Sequence, residues 1–166
     1  VTHDTDFPRQ TMTKVVDPLI RNAARALIRR NGNILLLRKH DEFRGERFAF
    51  PGGAQEPGET LQQALDRECQ EEIGTSVVIR DLLHVADYFK QRATEPASTR
   101  QLVEFLFACD VPADYQAQNG HRPDKHQVDV VWTPLERLPD LPLLPRSLAS
   151  RLTAPVAAPV YLGTLD

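Results

Sequence analysis

Two cysteines in 166 residues, Cys69 and Cys109, are too few for a disulfide framework, and neither belongs to a paired metal-binding motif, so both are expected as reduced core side chains. No run of apolar residues approaches the length of a membrane span, which argues against a bilayer as solvent. Neither charge sign is in excess: the net charge is -3 and the pI about 6.0, giving no general attraction to nucleic acid polymers or to anionic membranes. There is no internal repeat, and Val1 to Gln10 is polar with Asp4 and Asp6, unlike a signal peptide. The expected location is the cytoplasm. What remains is an ordinary composition, 41% hydrophobic and 26% charged, enough for one enzyme-sized core.

The densest information lies between Gly53 and Gly74, where Gly53, Glu59, Arg67, Glu68, Glu71, Glu72 and Gly74 occur in order. Seven specified residues coincide by chance at roughly one start in 10⁸ to 10⁹ on average composition. Phe48-Ala49-Phe50 reads as a short apolar strand, which Pro51 ends and Gly52-Gly53 turns. Thr60 with Gln63 three residues on forms a capping box, so a helix is expected from near Thr60, with Glu59 close to its positive end and Gly74 as its stop. At 100° per residue Leu61, Ala64 and Leu65 share a face with Glu68 and Glu72, and Glu71 lies at its edge. Inward carboxylates cost several kcal/mol each, of the order set by desolvation, unless they are paired or bind metal. Three of them together therefore point to divalent cations. Arg67, four residues from Glu71 and next to Glu68, is placed to orient the cluster. The plainer reading, an exposed helix with a solvated acidic patch, leaves the glycines and Glu59 unexplained.

At these residues the chain resembles the Nudix hydrolases. All the charged and glycine positions of that family's signature are present, while Cys69 and Thr75 stand where an aliphatic residue is usual. The signature covers 23 residues, and the surrounding strand pattern extends the resemblance from Arg21 to about Leu152. It implies an α/β fold, a Nudix-type α/β/α sandwich with a mixed β-sheet. It also implies Mg²⁺-dependent hydrolysis, with Mn²⁺ able to substitute, of the diphosphate linkage in a nucleoside diphosphate joined to another group. Residue by residue, Glu71 and Glu72 match principal metal ligands and the carbonyl of Gly52 a backbone ligand. Glu68 matches a ligand that also acts on the attacking water, Arg67 the residue that orients it, and Glu59 a position supporting the loop and outer metal sites. The alternative on the same scaffold is a silent nucleotide or metabolite sensor, against which the intact Glu68, Glu71 and Glu72 argue. A calcium-binding module is disfavoured, because its ligands are spaced along a loop and not on a helix.

The catalytic base of many members lies outside the signature, and Glu104 and Asp129 are the candidates. Glu104 alternates with Val103, Phe105, Phe107 and Cys109, sharing the opposite face with Leu106. It faces either the metal cleft or solvent as an edge-strand charge that discourages aggregation. Asp129, in Val128-Asp129-Val130-Val131-Trp132, carries the same ambiguity. Arg38, Arg44 and Arg47, with Lys39 and His40, form a basic stretch before the glycines, either a phosphate receiver or a solvated loop. His126 is a further titratable residue, more often structural than catalytic when alone.

Residues 1–18 are expected as a flexible leader, 19–153 as a single domain and 154–166 as a tail. Asn31-Gly32 between apolar runs reads as a hairpin, Val77 to Val85 as a strand, and 91–98 and 110–125 as polar loops. Leu135-Glu136 opens a short helix, and Pro145 starts a last one to about Leu152. The apolar tail, with Pro155, Pro159 and Tyr161, is either disordered or packed on the body or on a second subunit of a homodimer. The expected partner is a small nucleotide-type molecule, with no nucleic acid polymer and no membrane. Lys90 and Gln91 stand where members cleaving ADP-ribose often carry a proline, and Tyr88 comes too early for the tyrosine of members cleaving diadenosine polyphosphates. Neither subfamily is supported.

Overall fold

Strand follows strand from Val16 onward. The computed structural model describes residues 16–155 and 157–166; of the leader expected over 1–18, residues 1–15 lie outside the described residues. β1 (Val16–Arg30) turns at Asn31 and Gly32, whose φ angles of 50° and 75° are the left-handed pair that the hairpin signature calls for, into β2 (Asn33–Asp41). β3 (Gly45–Ala49) and the three-residue β4 (Gly52–Ala54) lead to helix α1 (Leu61–Ile73). The long pair β5 (Val78–Arg92) and β6 (Ser98–Asp110) follows, then β7 (Gln127–Pro134), a 3₁₀ helix at Leu135–Asp140, α2 (Arg146–Thr153) and β8 (Tyr161–Leu165).

Among the described residues these strands form one mixed sheet in the order β3-β2-β1-β6-β5-β8, with β4 added to β1 and β7 to β2. The β1–β6 and β5–β8 pairs are parallel and the others antiparallel. Alternation along the strands sends two sets of side chains to opposite faces. Ala24, Ala26, Ile28, Phe107 and Cys109 pack beneath Leu65, Cys69 and Ile73 of α1. Leu27, Leu36, Leu106, Leu162 and Leu165 pack with Leu138 of the 3₁₀ helix and Leu148 of α2. The result is the α/β/α sandwich, with α1 on one face and α2 on the other.

Two differences from the sequence reading matter for the site. β6 lies between β1 and β5, so Glu104 is not an edge-strand charge: a strand's neighbours are fixed by long-range pairing that its own alternation does not encode. β5 runs on to Arg92, past the expected end at Val85, because β6 pairs with it as far as Ser98. The segment 154–166, read as a tail, supplies β8 through its apolar Leu162 and Leu165. No helix is long and apolar enough to cross a membrane among the described residues.

Candidate metal and phosphate site

α1 starts where local chemistry dictates. The Thr60 hydroxyl accepts from the Gln63 backbone amide at 3.1 Å, and the Gln63 side-chain oxygen accepts from the Thr60 backbone amide at 2.9 Å. Gly74, with φ 74°, ends the helix in the left-handed conformation. Between these caps Glu68 and Glu72 project toward the β4 turn, with Glu71 between Arg67 and Arg122. A Cβ on Gly53 would lie 2.5 Å from the Glu68 carboxyl carbon, and one on Gly52 would lie 2.1 Å from the Ala24 carbonyl oxygen. Only glycine lets the loop pass between β1 and the acidic helix face.

Glu72 is 2% exposed. One of its oxygens accepts the Gly52 amide at 2.8 Å, yet burial pushes its carboxyl up to about 8, against the pull of that hydrogen bond and of Arg25. Arg25, on β1, donates to the Gly52 carbonyl and reaches Glu104 at 3.3 Å. Arg67 holds both oxygens of Glu59, at 2.6 and 3.0 Å, and donates to Glu68 at 2.9 Å and to the Ala54 carbonyl at 3.2 Å. The Arg67 hydrogen bonds depress the Glu59 carboxyl to about 2, so Glu59 is an anion held against Arg67. Glu71 is held more loosely, with Arg67 at 3.8 Å and Arg122 at 3.9 Å.

The donors offered here are all hard oxygens, carboxylate and carbonyl, which suit Mg²⁺ or Mn²⁺ and not a thiolate-seeking metal. Among the described residues no three His, Cys, Asp or Glu side chains converge closely enough to enclose an ion alone. The burial of Glu72, with Gly53 packed on Glu68, is the feature that fits: a carboxylate forced toward its neutral form gains by facing a cation.

A cleft of about 600 Å³ opens beside these groups, lined by Arg25, Lys39, Arg44, Arg47, Glu104 and Asp124 among others. Of the basic stretch, Arg44 and Arg47 line it, and Arg47 is paired with Asp41 at 2.8 Å. Arg38 does not line it: it pairs with Glu46 at 3.4 Å and Asp129 at 3.7 Å on the β2–β7 side. Asp129 is half exposed there, away from the carboxylates, while Glu104 is buried inside the cleft.

The sequence reading missed three contributors. Asp124 enters the cleft from the 111–126 loop and is bonded to Lys39. Burial opposes its ionisation, and Lys39 outweighs that to hold it below the usual aspartate value. The loop is seated on the orphan carbonyls at the C-terminus of α1. Gly120 and the Gln127 side chain donate to Glu72, Arg122 donates to Glu71 and the Tyr115 hydroxyl to Ile73, at 2.8 to 2.9 Å. A Cβ on Gly120 would lie 2.3 Å from the Glu71 carbonyl oxygen. Arg25 was hidden in an apolar strand. The length of the polar loop was the one available signal for Asp124.

Comparison with known proteins bears on the domain as a whole. The sequence pattern of the family described as NUDIX domain matches residues 19–152. The CTP pyrophosphohydrolase of Escherichia coli (strain K12) is 31% identical over 137 residues, covering 78% of this chain and 93% of that protein. The NAD-capped RNA hydrolase NudC of Chromobacterium violaceum is 33% identical over 140 residues, covering 84% of this chain. This chain spans less than half of the length of that relative, 47%. The solution structure of the E. coli ORF135 protein superposes with a TM-score of 0.55 at 27% identity, covering 82% of this chain and 94% of that one.

Proposed function

The chain belongs to the Nudix hydrolase family, and from that premise we propose that it catalyses Mg²⁺-dependent hydrolysis of a diphosphate linkage in a nucleoside diphosphate joined to another group. The observation that carries the reading is Glu72, buried against the glycine loop beside Glu68 with its carboxyl raised toward neutrality. Glu68, Glu71, Glu72 and the Gly52 carbonyl would hold the metal, with Mn²⁺ able to substitute. When bound, the cation supplies neutralisation of phosphate charge and a more acidic water.

The chain's own residues do the rest. Arg67, anchored by Glu59, fixes the rotamer of Glu68. Arg44 and Arg47 line the cleft as receivers of phosphate oxygens, guanidinium forks suited to that geometry. Arg25 steadies the Gly52 carbonyl and pins Glu104. Of the two carboxylates outside the signature, Glu104 borders the cleft, which supports it as the acceptor of the water's proton, while Asp129 stands with Arg38 on the flank.

The test is a panel of nucleoside triphosphates, ADP-ribose, nucleotide sugars, dinucleoside polyphosphates and NAD-capped RNA, assayed with magnesium and with a chelator. Magnesium-dependent release of a monophosphate from at least one class is the expected result. Metal binding with no turnover across the panel would instead favour a nucleotide sensor.

A further inference from the structure

On the sheet face that carries Glu104, across a side cleft from Glu68 and Glu72, stands a group of cations that the reaction just described does not use. Lys90 of β5 and Arg100 of β6 are directly opposed across the antiparallel pair, so their side chains rise from the same face of the sheet. Arg21 of β1 is level with Leu102, two residues from Arg100, which brings it to that face as well. All three line a side cleft of about 240 Å³, and its far wall is Gly52, Gly53, Glu68 and Glu72.

These cations differ from the others around the site. Arg25, Lys39 and Arg47 each have a carboxylate partner. Among the described residues Arg21, Lys90 and Arg100 have none within ion-pairing distance, and the Arg100 Nε is buried without a hydrogen-bond partner. Partial burial, and then the charges of Arg25 and Lys39, hold the Lys90 ammonium below the usual lysine value. Like charges facing each other across two strands repel, and an orphan guanidinium N–H loses its hydration for nothing. An anion seated between them relieves both costs.

We propose that Arg21, Lys90 and Arg100 form a cradle for a phosphate group attached beyond the diphosphate being cleaved. The preferred substrate then carries a chain of at least three phosphates and does not end its diphosphate in a neutral group. The inference rests on the hydrolase reading for its kinetic consequence. A phosphate chain lying in this cleft has the carboxylate wall, which takes metal, on one side and the cradle on the other. A neutral sugar in place of the outer phosphate would leave three cations facing uncharged hydroxyls.

The test has a binding arm and a turnover arm. Inorganic triphosphate is titrated calorimetrically, with magnesium, into the wild type and into Lys90→Gln/Arg100→Gln, and kcat/KM is measured for a nucleoside triphosphate and for a nucleotide sugar of the same base. The double variant is expected to bind triphosphate at least about tenfold more weakly, the scale of losing one charged hydrogen bond. The ratio of kcat/KM for triphosphate over nucleotide sugar should fall by a similar factor, mainly through KM. Its melting temperature should be unchanged or higher, because a repulsion has been removed. Unchanged triphosphate binding overturns the cradle whatever the turnover, and so does an equal loss on both substrates. A wild type that hydrolyses neither compound, while the double variant still loses triphosphate binding, counts against the hydrolase reading and for the cradle.

Discussion

Glu72 accepts the Gly52 amide in a pocket where burial lifts its carboxyl from the ordinary 4.5 to about 8. The folded protein therefore holds a proton that the unfolded chain has released across that interval, and the sign of the linkage follows. This group's contribution to stability is fully present below about pH 4.5 and is lost as pH rises through 8, at up to roughly 1.4 kcal/mol per pH unit. Thermal melts of the chelator-treated protein should show a midpoint that falls from pH 5 to pH 8. Glu72→Gln, which keeps the shape and removes the titration, should flatten that slope, and a wild-type profile already flat would contradict the assignment. On the proposed reading magnesium would displace the same proton, so its affinity should rise over the same interval. Glu59 behaves in the opposite sense: Arg67 keeps it ionised down to about 2, so it stays a fixed anchor across the working range.

At the scale of elements, α1 and the 111–126 loop are one unit, because the loop's donors occupy the carbonyls the helix leaves open. Gly120→Ala forces a Cβ against the Glu71 carbonyl and should lift the loop, withdrawing Asp124 from Lys39. The expected cost is about 1–3 kcal/mol, the usual range for overpacking, read by urea denaturation. Hydrogen exchange at the Gly120 and Arg122 amides should quicken at the same time; protection equal to wild type would show that the loop is held by other means. The helix itself was legible in the sequence because caps, period and glycine stop are local: Thr60, Gln63 and Gly74 act within a few residues of each other. The Asn31-Gly32 hairpin was legible for the same reason. Asp124, Gly120 and Arg25 were not, since each acts on a partner far along the chain that no periodicity encodes. Glu104 shows the limit in one residue: its alternation with Phe105 was readable, but whether β6 sat at an edge depended on β1 and β5 closing around it.

Across the whole molecule, the sheet supplies two chemically opposed walls to a single opening. One is the acidic end of α1 with the glycine loop, and the other is the β1–β6–β5 face, which presents Arg21, Lys90 and Arg100. β8 closes the far side of the sheet on β5, and Asp166 accepts from the Ser147 amide at 3.2 Å, giving α2 the cap that Pro145 does not provide. The body is thus fixed on both faces around a polar opening at one edge, bordered by the carboxylates of α1 and by basic side chains of the sheet. The most direct measurement is turnover of the best substrate by wild type and Glu71→Gln as magnesium is raised, with far-ultraviolet circular dichroism as the check on folding. Loss of at least ~100-fold in kcat, the scale of removing one group that stabilises transition-state charge, at every magnesium concentration and with an unchanged spectrum, is the predicted result. Near-normal turnover by Glu71→Gln would contradict the assignment of this helix as the metal-binding centre.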